Sequence, residues 1–141
     1  MARRMYHSKL LPDGCHMQLV EVGNARIPSP PDAPTPMPSV LRGPGGLLVS
    51  TRCPDYGNVD LEVWAGDPGP SEREVVFEGE LVTAARGFDA GPATAITFHV
   101  DAPPGKYQVR ADVQRDADGE VDSVRFIFLQ APDLEGRIVN P

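Results

Sequence analysis

The chain has 141 residues, a formal net charge of −7 and 40% apolar residues, which suits a single domain with a hydrophobic core. Its 14 glycines and 16 prolines interrupt the sequence too often for a helical bundle or a coiled coil. The acidic balance argues against general nucleic-acid binding, because that role needs a cationic surface. It fits a protein that meets a basic partner.

The amino-terminal segment is basic but has no apolar run of signal-peptide length behind it. No stretch reaches the roughly 18 consecutive apolar residues of a membrane helix. These patterns predict a cytoplasmic protein without a membrane contact. In that reducing compartment we expect Cys15 and Cys53 to be buried thiols and not a disulfide bridge.

Seven segments have the length and the apolar pattern of β-strands. They cover residues 15–22, 46–52, 59–65, 74–83, 94–100, 106–114 and 122–130. The alternation is clearest in 106–114, where every second residue is apolar. Many short strands between Gly and Pro turns predict an all-β fold, a single antiparallel β-sandwich of about seven to eight strands.

The sandwich is expected to span residues 1–141, with an N-terminal arm (1–12), a Pro-rich surface loop (24–45) and a C-terminal tail (132–141). Seven prolines within 28–44 favour an extended path. We favour a passive surface loop for this segment. The alternative is a binding arm with PxxP-like spacing that fits an aromatic-lined groove.

Two turns predict hairpins at the carboxyl-terminal end. Residues 102–105 (APPG) place Pro before Gly and are expected to join 94–100 to 106–114. Residues 116–119 (DADG) are expected to form the tip of a hairpin into 122–130. The last three predicted strands would then form a meander.

Segment 122–130 is apolar on both faces, with Val124, Phe126 and Phe128 on one side and Ile127 and Leu129 on the other. A strand with this pattern is usually central and covered on both sides. The alternative is an apolar patch that binds a partner.

No catalytic motif is present: the sequence lacks a nucleophile elbow, a phosphate loop and a zinc-protease helix. The 116–122 stretch does not have the spacing of a calcium loop. Cys15 and His16 would point to opposite faces of one strand, which disfavours a shared metal ion, and nothing places Cys53 beside His99 as a nucleophile pair. We predict no catalytic residue, no metal and no cofactor.

Acidic and aromatic side chains at outward positions are the candidate partner-binding residues. They are Trp64, Glu74, Glu78 and Glu80, with Asp116, Asp118 and Glu120 at the hairpin tip. The three glutamates are expected on one face of their strand, where they would either complement a basic surface or only prevent edge-to-edge pairing. Trp64 is expected to be an interface anchor or to be covered by the Pro-rich segment.

Three stretches together resemble the competence protein J family of small all-β bacterial proteins: 74–79 (EVVFEG), 97–110 (TFHVDAPPGKYQVR) and the hydrophobic strand 122–130. Segment 15–22 (CHMQLVEV) fits the family's first core strand more loosely. The resemblance implies an all-β fold and the inhibition of a partner nuclease. It assigns no inhibitory residue, and the Pro-rich 28–44 segment has no counterpart in it.

These observations predict a non-catalytic protein-binding module, an inhibitor or immunity-type protein that covers a basic partner such as a nuclease without binding nucleic acid or a membrane. One alternative is a structural or assembly subunit, which the doubly apolar 122–130 strand and the Pro-rich arm would suit. Another is a small-ligand or carbohydrate-binding sandwich, in which Tyr56 and Trp64 would stack on a sugar ring.

Overall fold

The structure is a computed structural model, and it describes residues 1–12, 14–22, 39–43, 46–92 and 95–139. These residues form eleven β-strands and a short 3-10 helix, Pro54–Tyr56. The strands are β1 (Arg3–Leu10), β2 (His16–Glu21), β3 (Val40–Gly43), β4 (Gly46–Ser50), β5 (Val59–Ala65), β6 (Glu74–Thr83), β7 (Gly87–Pro92), β8 (Phe98–Asp101), β9 (Gly105–Arg115), β10 (Val121–Phe128) and β11 (Glu135–Ile138). No helix in the described ranges has the length and apolarity to cross a membrane.

The strands form two sheets that pack together as a β-sandwich. The five-stranded sheet has the order β1-β5-β10-β9-β6, and the six-stranded sheet has the order β11-β8-β7-β2-β4-β3. Neighbouring strands are antiparallel except β5 and β10, which run parallel. The predicted fold class is therefore confirmed, and the structure adds four strands that the sequence pattern did not predict.

The core lies between the inward faces of the two sheets. In the five-stranded sheet the register aligns Val63, Phe126 and Ala111 in one row across β5, β10 and β9, and none of the three is exposed. Met17 and Leu19 of the six-stranded sheet belong to the same buried cluster. Because burying one such large side chain contributes about 1.5–3 kcal/mol, the alternating pattern of these strands is what holds the sheets together.

Strand β10 is central in its sheet and is covered on both faces, as predicted. Ile127 points away from the core, yet its exposure is 0%. The connection between β5 and β6, residues 66–73, lies over this outer face: Arg125 of β10 donates to Ser71 at 3.2 Å, and Arg110 of β9 donates to Asp67 at 2.9 Å. The apolar outer residue is therefore buried and not a free patch.

Segments expected outside the sheets contribute edge strands. The predicted arm at 1–12 contains β1, which pairs with β5, and the predicted tail at 132–141 contains β11, which pairs with β8. Of the predicted Pro-rich loop, 24–45, residues 40–43 form β3 and pair with β4. Residues 23–38 and 44–45 lie outside the described residues, so the choice between surface loop and binding arm stays open. Edge strands need only one apolar face or none, which is why their patterns are weak.

The predicted meander is wrong, because β8 and β9 belong to different sheets. Residues 102–104 connect the two strands, and Tyr107 Oη donates to the Pro103 carbonyl at 2.5 Å. However, turn chemistry specifies a local reversal and not which sheet the next strand joins. The hairpin from β9 into β10 is confirmed.

Candidate partner-binding site

The β9–β10 hairpin tip is organised by Asp116. Its Oδ1 accepts hydrogen bonds from the backbone N–H groups of Asp118 and Glu120 at 2.9 and 3.0 Å, while Gly119 N donates to the Asp116 carbonyl at 3.0 Å. The bond from the Glu120 N–H, with those from Asp118 and Arg52, holds the pKa of Asp116 below its usual value. The turn therefore keeps Asp116 ionised and directs the side chains of Asp118 and Glu120 into solvent, where both are exposed.

Arg115 joins the start of β6 to this tip. Its Nε donates to Glu74 Oε1 at 2.9 Å and its Nη1 donates to the Gly119 carbonyl at 2.9 Å. The hydrogen bond from Arg115 lowers the pKa of Glu74. Glu72 and Asp122 line the adjoining open depression of about 450 Å³. We call this surface the acidic end; its carboxylates belong to Glu72, Glu74, Asp116, Asp118, Glu120 and Asp122.

A second turn, residues 53–57, lies beside the acidic end. Arg52 connects the two: its backbone N–H donates to the Val121 carbonyl at 2.9 Å, and its Nη1 lies 3.4 Å from Asp116 Oδ2. The 3-10 helix in this turn has no buried residue, and Tyr56 at its end is 71% exposed. An exposed aromatic ring therefore lies on the turn that Arg52 joins to the hairpin.

Cys15 and Cys53 form a disulfide, so the prediction of buried free thiols is wrong. The two residues are 38 apart in sequence, but the β2–β4 pairing carries them together, and Thr51 N donates to the Cys15 carbonyl at 2.8 Å. The bridge rules out Cys53 as a nucleophile. It also runs against the expected reducing compartment, because stable disulfides are typical of oxidising ones.

Trp64 lies on the outer face of the five-stranded sheet, away from the acidic end. Its Nε1 donates to Glu62 at 2.8 Å, and the Arg125 guanidinium carbon lies 6.0 Å from the ring centroid. The side chain is half-buried. Because the indole N–H and one ring face already have intramolecular partners, Trp64 is less free to anchor a partner than the sequence indicates.

The prediction that Glu74, Glu78 and Glu80 share one strand face is wrong. A register shift between Val75 and Phe77 places Glu74 opposite Val113, whereas Glu78 lies opposite Arg110. An extra residue at a bulge reverses the side to which every later side chain points. Only Glu74 joins the hairpin residues; Glu80 lies further along β6, opposite Gln108.

Histidine and carboxylate groups also meet on the outer face of the six-stranded sheet. Nδ1 of the buried His99 lies 2.9 Å from Asp89 and its Nε2 lies 2.9 Å from Asp101, while Arg137 donates to Asp101 at 2.9 Å. Both ring nitrogens thus face carboxylates. Across the described ranges, no group of three or more His, Cys, Asp or Glu side chains has the arrangement of a metal site.

The sugar-stacking arrangement of Tyr56 with Trp64 is not supported. Tyr56 precedes β5 and Trp64 lies near its far end; at about 3.3 Å per strand residue, the length from Val59 to Trp64 alone is about 17 Å. One ring cannot contact both. The sequence did not indicate that the Tyr56 turn lies beside the acidic end. The Cys15–Cys53 disulfide, which holds Cys53 there, was not predicted.

Comparison with solved structures shows that the fold is similar to that of ComJ from Bacillus subtilis, an inhibitor of the DNA degrading activity of NucA. The two structures superpose with a TM-score of 0.63 over 93% of this chain and 99% of that chain, at 9% sequence identity. No protein-family model and no curated protein matches the chain. At this identity the likeness concerns the fold, and the all-β architecture that the sequence resemblance implied is confirmed.

Proposed function

We propose that this protein is a non-catalytic inhibitor of a nuclease, of the competence protein J type, and that the acidic end covers the partner's cationic DNA-binding cleft. The observation that carries the proposal is the concentration of carboxylates at one end of the sandwich. Within the described residues, no ion pair engages Glu72, Asp118, Glu120 or Asp122. These charges remain available to a basic surface.

The mechanism is competition for positive charge. A nuclease binds DNA by neutralising phosphates with Lys and Arg, and an acidic protein surface meets the same residues while it steers the encounter and raises the association rate. Asp116 and Glu74 contribute in a second way. Their own bonds to the hairpin backbone and to Arg115 hold the tip in one conformation, which lowers the ordering cost of binding.

The fold supports this assignment over the alternatives. ComJ, with a similar fold, inhibits a nuclease. The assembly-subunit hypothesis relied on the doubly apolar 122–130 strand and on the Pro-rich arm. Ile127 on the outer face of β10 is fully buried, and most of the arm lies outside the described residues. The carbohydrate hypothesis relied on Tyr56 and Trp64 acting together.

The test uses the purified chain and fractionated extract of its own cells. Each fraction is assayed for degradation of a fluorescent duplex with and without the chain, and the inhibited nuclease is then captured on the tagged chain and eluted with salt. We expect one basic nuclease to be inhibited at stoichiometric concentration and released as salt rises. If no fraction loses DNA-degrading activity, the proposal is wrong; self-association stable to salt would instead favour an assembly subunit.

Two charge-matched variants locate the surface. The first combines Glu72→Gln, Asp118→Asn, Glu120→Gln and Asp122→Asn. The control removes the same number of charges elsewhere, through Glu78→Gln, Glu80→Gln, Asp133→Asn and Glu135→Gln. We expect the first variant to bind at least about tenfold more weakly at low salt, mainly through a slower association rate, and the control to bind like the wild type. Equal losses would mean that net charge matters and that the acidic end has no special role; a loss confined to the control would assign binding to Glu78 and Glu80.

A further inference from the structure

We infer that the Cys15–Cys53 disulfide holds Tyr56 in place as the anchor of the partner interface, so that the oxidised chain is the binding form. The inference rests on the proposed function, since it names how one part of the same surface is positioned. Tyr56 is the large aromatic side chain that the described residues expose most, at 71%. Aromatic side chains of this kind, flanked by charges, are typical interface anchors.

The 53–57 turn has little side-chain packing of its own. No residue of the Pro54–Tyr56 helix is buried, and Cys53 at its start makes no side-chain cap. Two short backbone bonds close the turn internally, from Tyr56 N to the Cys53 carbonyl at 2.9 Å and from Gly57 N to the Pro54 carbonyl at 3.1 Å. Its attachments to the sandwich are the disulfide, the bond from Thr51 N to the Cys15 carbonyl just before it, and Arg52.

Arg52 connects the 53–57 turn to the hairpin tip. Its Nε donates to the Asn58 carbonyl at 3.0 Å while its Nη1 faces Asp116 at 3.4 Å. The disulfide keeps Cys53 close to the loop before β2, and Arg52, the preceding residue, joins the same turn to Asp116 of the hairpin. A partner that presents Arg or Lys side chains around an apolar pocket would contact both, because guanidinium and ammonium groups bind carboxylates and aromatic faces.

Both cysteines are only half-buried, so a small thiol can reach the bridge. Dithiothreitol supplies two electrons and two protons, which convert the bridge to two thiols, and closes to its own cyclic disulfide. The turn then loses its covalent attachment, so its two internal bonds open more often. This change is local to the aromatic anchor and leaves the carboxylates of the β9–β10 hairpin in place.

Amide hydrogen exchange tests the positioning without any partner. The Tyr56 and Gly57 amides should exchange at least about tenfold faster in the reduced chain, while the Gly119 amide of the hairpin tip should be unchanged. Circular dichroism on the same samples checks that the sandwich stays folded. Unchanged protection at Tyr56 and Gly57 in a reduced, folded chain would overturn the inference even if the chain inhibits a nuclease.

Inhibition assays test the anchor, with the nuclease fraction that the wild-type chain inhibits as the probe. We expect Tyr56→Ala and the reduced wild type each to inhibit at least about tenfold less well, and Tyr56→Phe to retain inhibition. Gly57→Ala perturbs the turn with the disulfide intact, since Gly57 has φ 117° and an added Cβ would lie 3.2 Å from Arg52 Nη2; it should lose inhibition too. Gly69→Ala, with φ 97° and no atom within 4 Å of the added Cβ, is the matched control.

The outcomes separate this inference from the proposed function. Wild-type inhibition that survives both Tyr56→Ala and Gly57→Ala unchanged leaves the inhibitor assignment standing and removes the anchor. Loss on Tyr56→Ala with full activity of the reduced, folded chain removes the disulfide's role. If reduction unfolds the chain, Gly57→Ala decides whether turn geometry matters.

Discussion

Asp112 of β9 lies opposite Arg125 of β10, and its two carboxylate oxygens accept hydrogen bonds from Nε and Nη2 of that arginine at 2.8 and 2.7 Å. Arg73, from the connection that crosses the outer face, donates to the same carboxylate at 2.6 Å and to Ser123 at 2.8 Å. Asp112 is 1% exposed. This buried carboxylate fastens the 66–73 connection to the sheet.

Replacing Asp112 by Ala should lower the free energy of unfolding by about 3–5 kcal/mol, because it leaves two buried guanidinium groups without a counter-charge. Exchanging the whole network, with Asp112→Ala, Arg125→Met and Arg73→Met together, should recover most of that loss. Denaturant unfolding of the single and triple variants measures both. A single variant within about 1 kcal/mol of the wild type would show that the network is not desolvated as described.

The same network makes stability depend on pH. Burial alone would raise the pKa of Asp112, but the hydrogen bonds from Arg125 and Arg73 outweigh it and hold the pKa below the ordinary 3.8. The folded state therefore stays ionised at pH values where the unfolded chain takes up a proton. The stabilisation is complete above the ordinary pKa and is lost as pH falls through the lower folded one.

Unfolding free energies measured from about pH 6 down to about pH 2 should fall most steeply below about pH 4. Asp112→Asn should flatten that decline. Asp67→Asn is the control, since Asp67 also has a pKa lowered by its hydrogen bond with an arginine, Arg110, but is exposed; its effect should be much smaller. An identical pH profile for Asp112→Asn and the wild type would contradict the assignment.

Removing the disulfide should lower the free energy of unfolding by about 2–4 kcal/mol, because the bridge closes a loop between residues 38 apart and limits the unfolded chain. Thermal unfolding of Cys15→Ser with Cys53→Ser, compared with the oxidised wild type, measures this. The reduced wild type should match the double variant. A double variant as stable as the oxidised chain would mean that the bridge positions the turn without stabilising the sandwich.

Gly87, at the start of β7, should not tolerate a side chain. Its φ is 111°, and an added Cβ would lie 1.9 Å from the Val100 carbonyl oxygen of the paired strand β8. Gly87→Ala should therefore cost more than about 3 kcal/mol, since the backbone of a buried strand must move. Gly119→Ala is the matched control, with φ 82° and open space around the added Cβ; it should cost about 1–2 kcal/mol from backbone strain alone.

The core of the sandwich was predictable because its signal is local. Strands β5 and β6 were predicted with the bounds that they have in the structure, and β9 and β10 nearly so, since alternation of buried and exposed side chains is written into consecutive residues. Strand β7 (GFDAGP) was not predicted. Its Gly and Pro residues indicate a turn in isolation, and only the close approach of β8 explains why Gly87 is needed in a strand.

The candidate site was predictable only in part, for a related reason. The hairpin tip was found from the sequence because Asp116 and Gly119 suit a tight turn, and the carboxylates beside it follow from the chain. The neighbours of the tip were not predicted, because they come from segments far apart in sequence. Arg52 lies 64 residues from Asp116, and the disulfide with Cys15 brings the Tyr56 turn to the same end.

The sequence by itself therefore determined the all-β class, the positions of most core strands and the acidic character of the chain. The strands follow from short-range alternation of apolar residues, and the acidic character follows from the count of charged residues. The tertiary structure alone decided which sheet each strand joins, the bulge that separates Glu74 from Glu78, and the disulfide. Each of these depends on contacts between distant segments, where strand order and register set which side chains meet. A partner-binding surface consists of side chains from distant segments, so it forms only when the two sheets pack together.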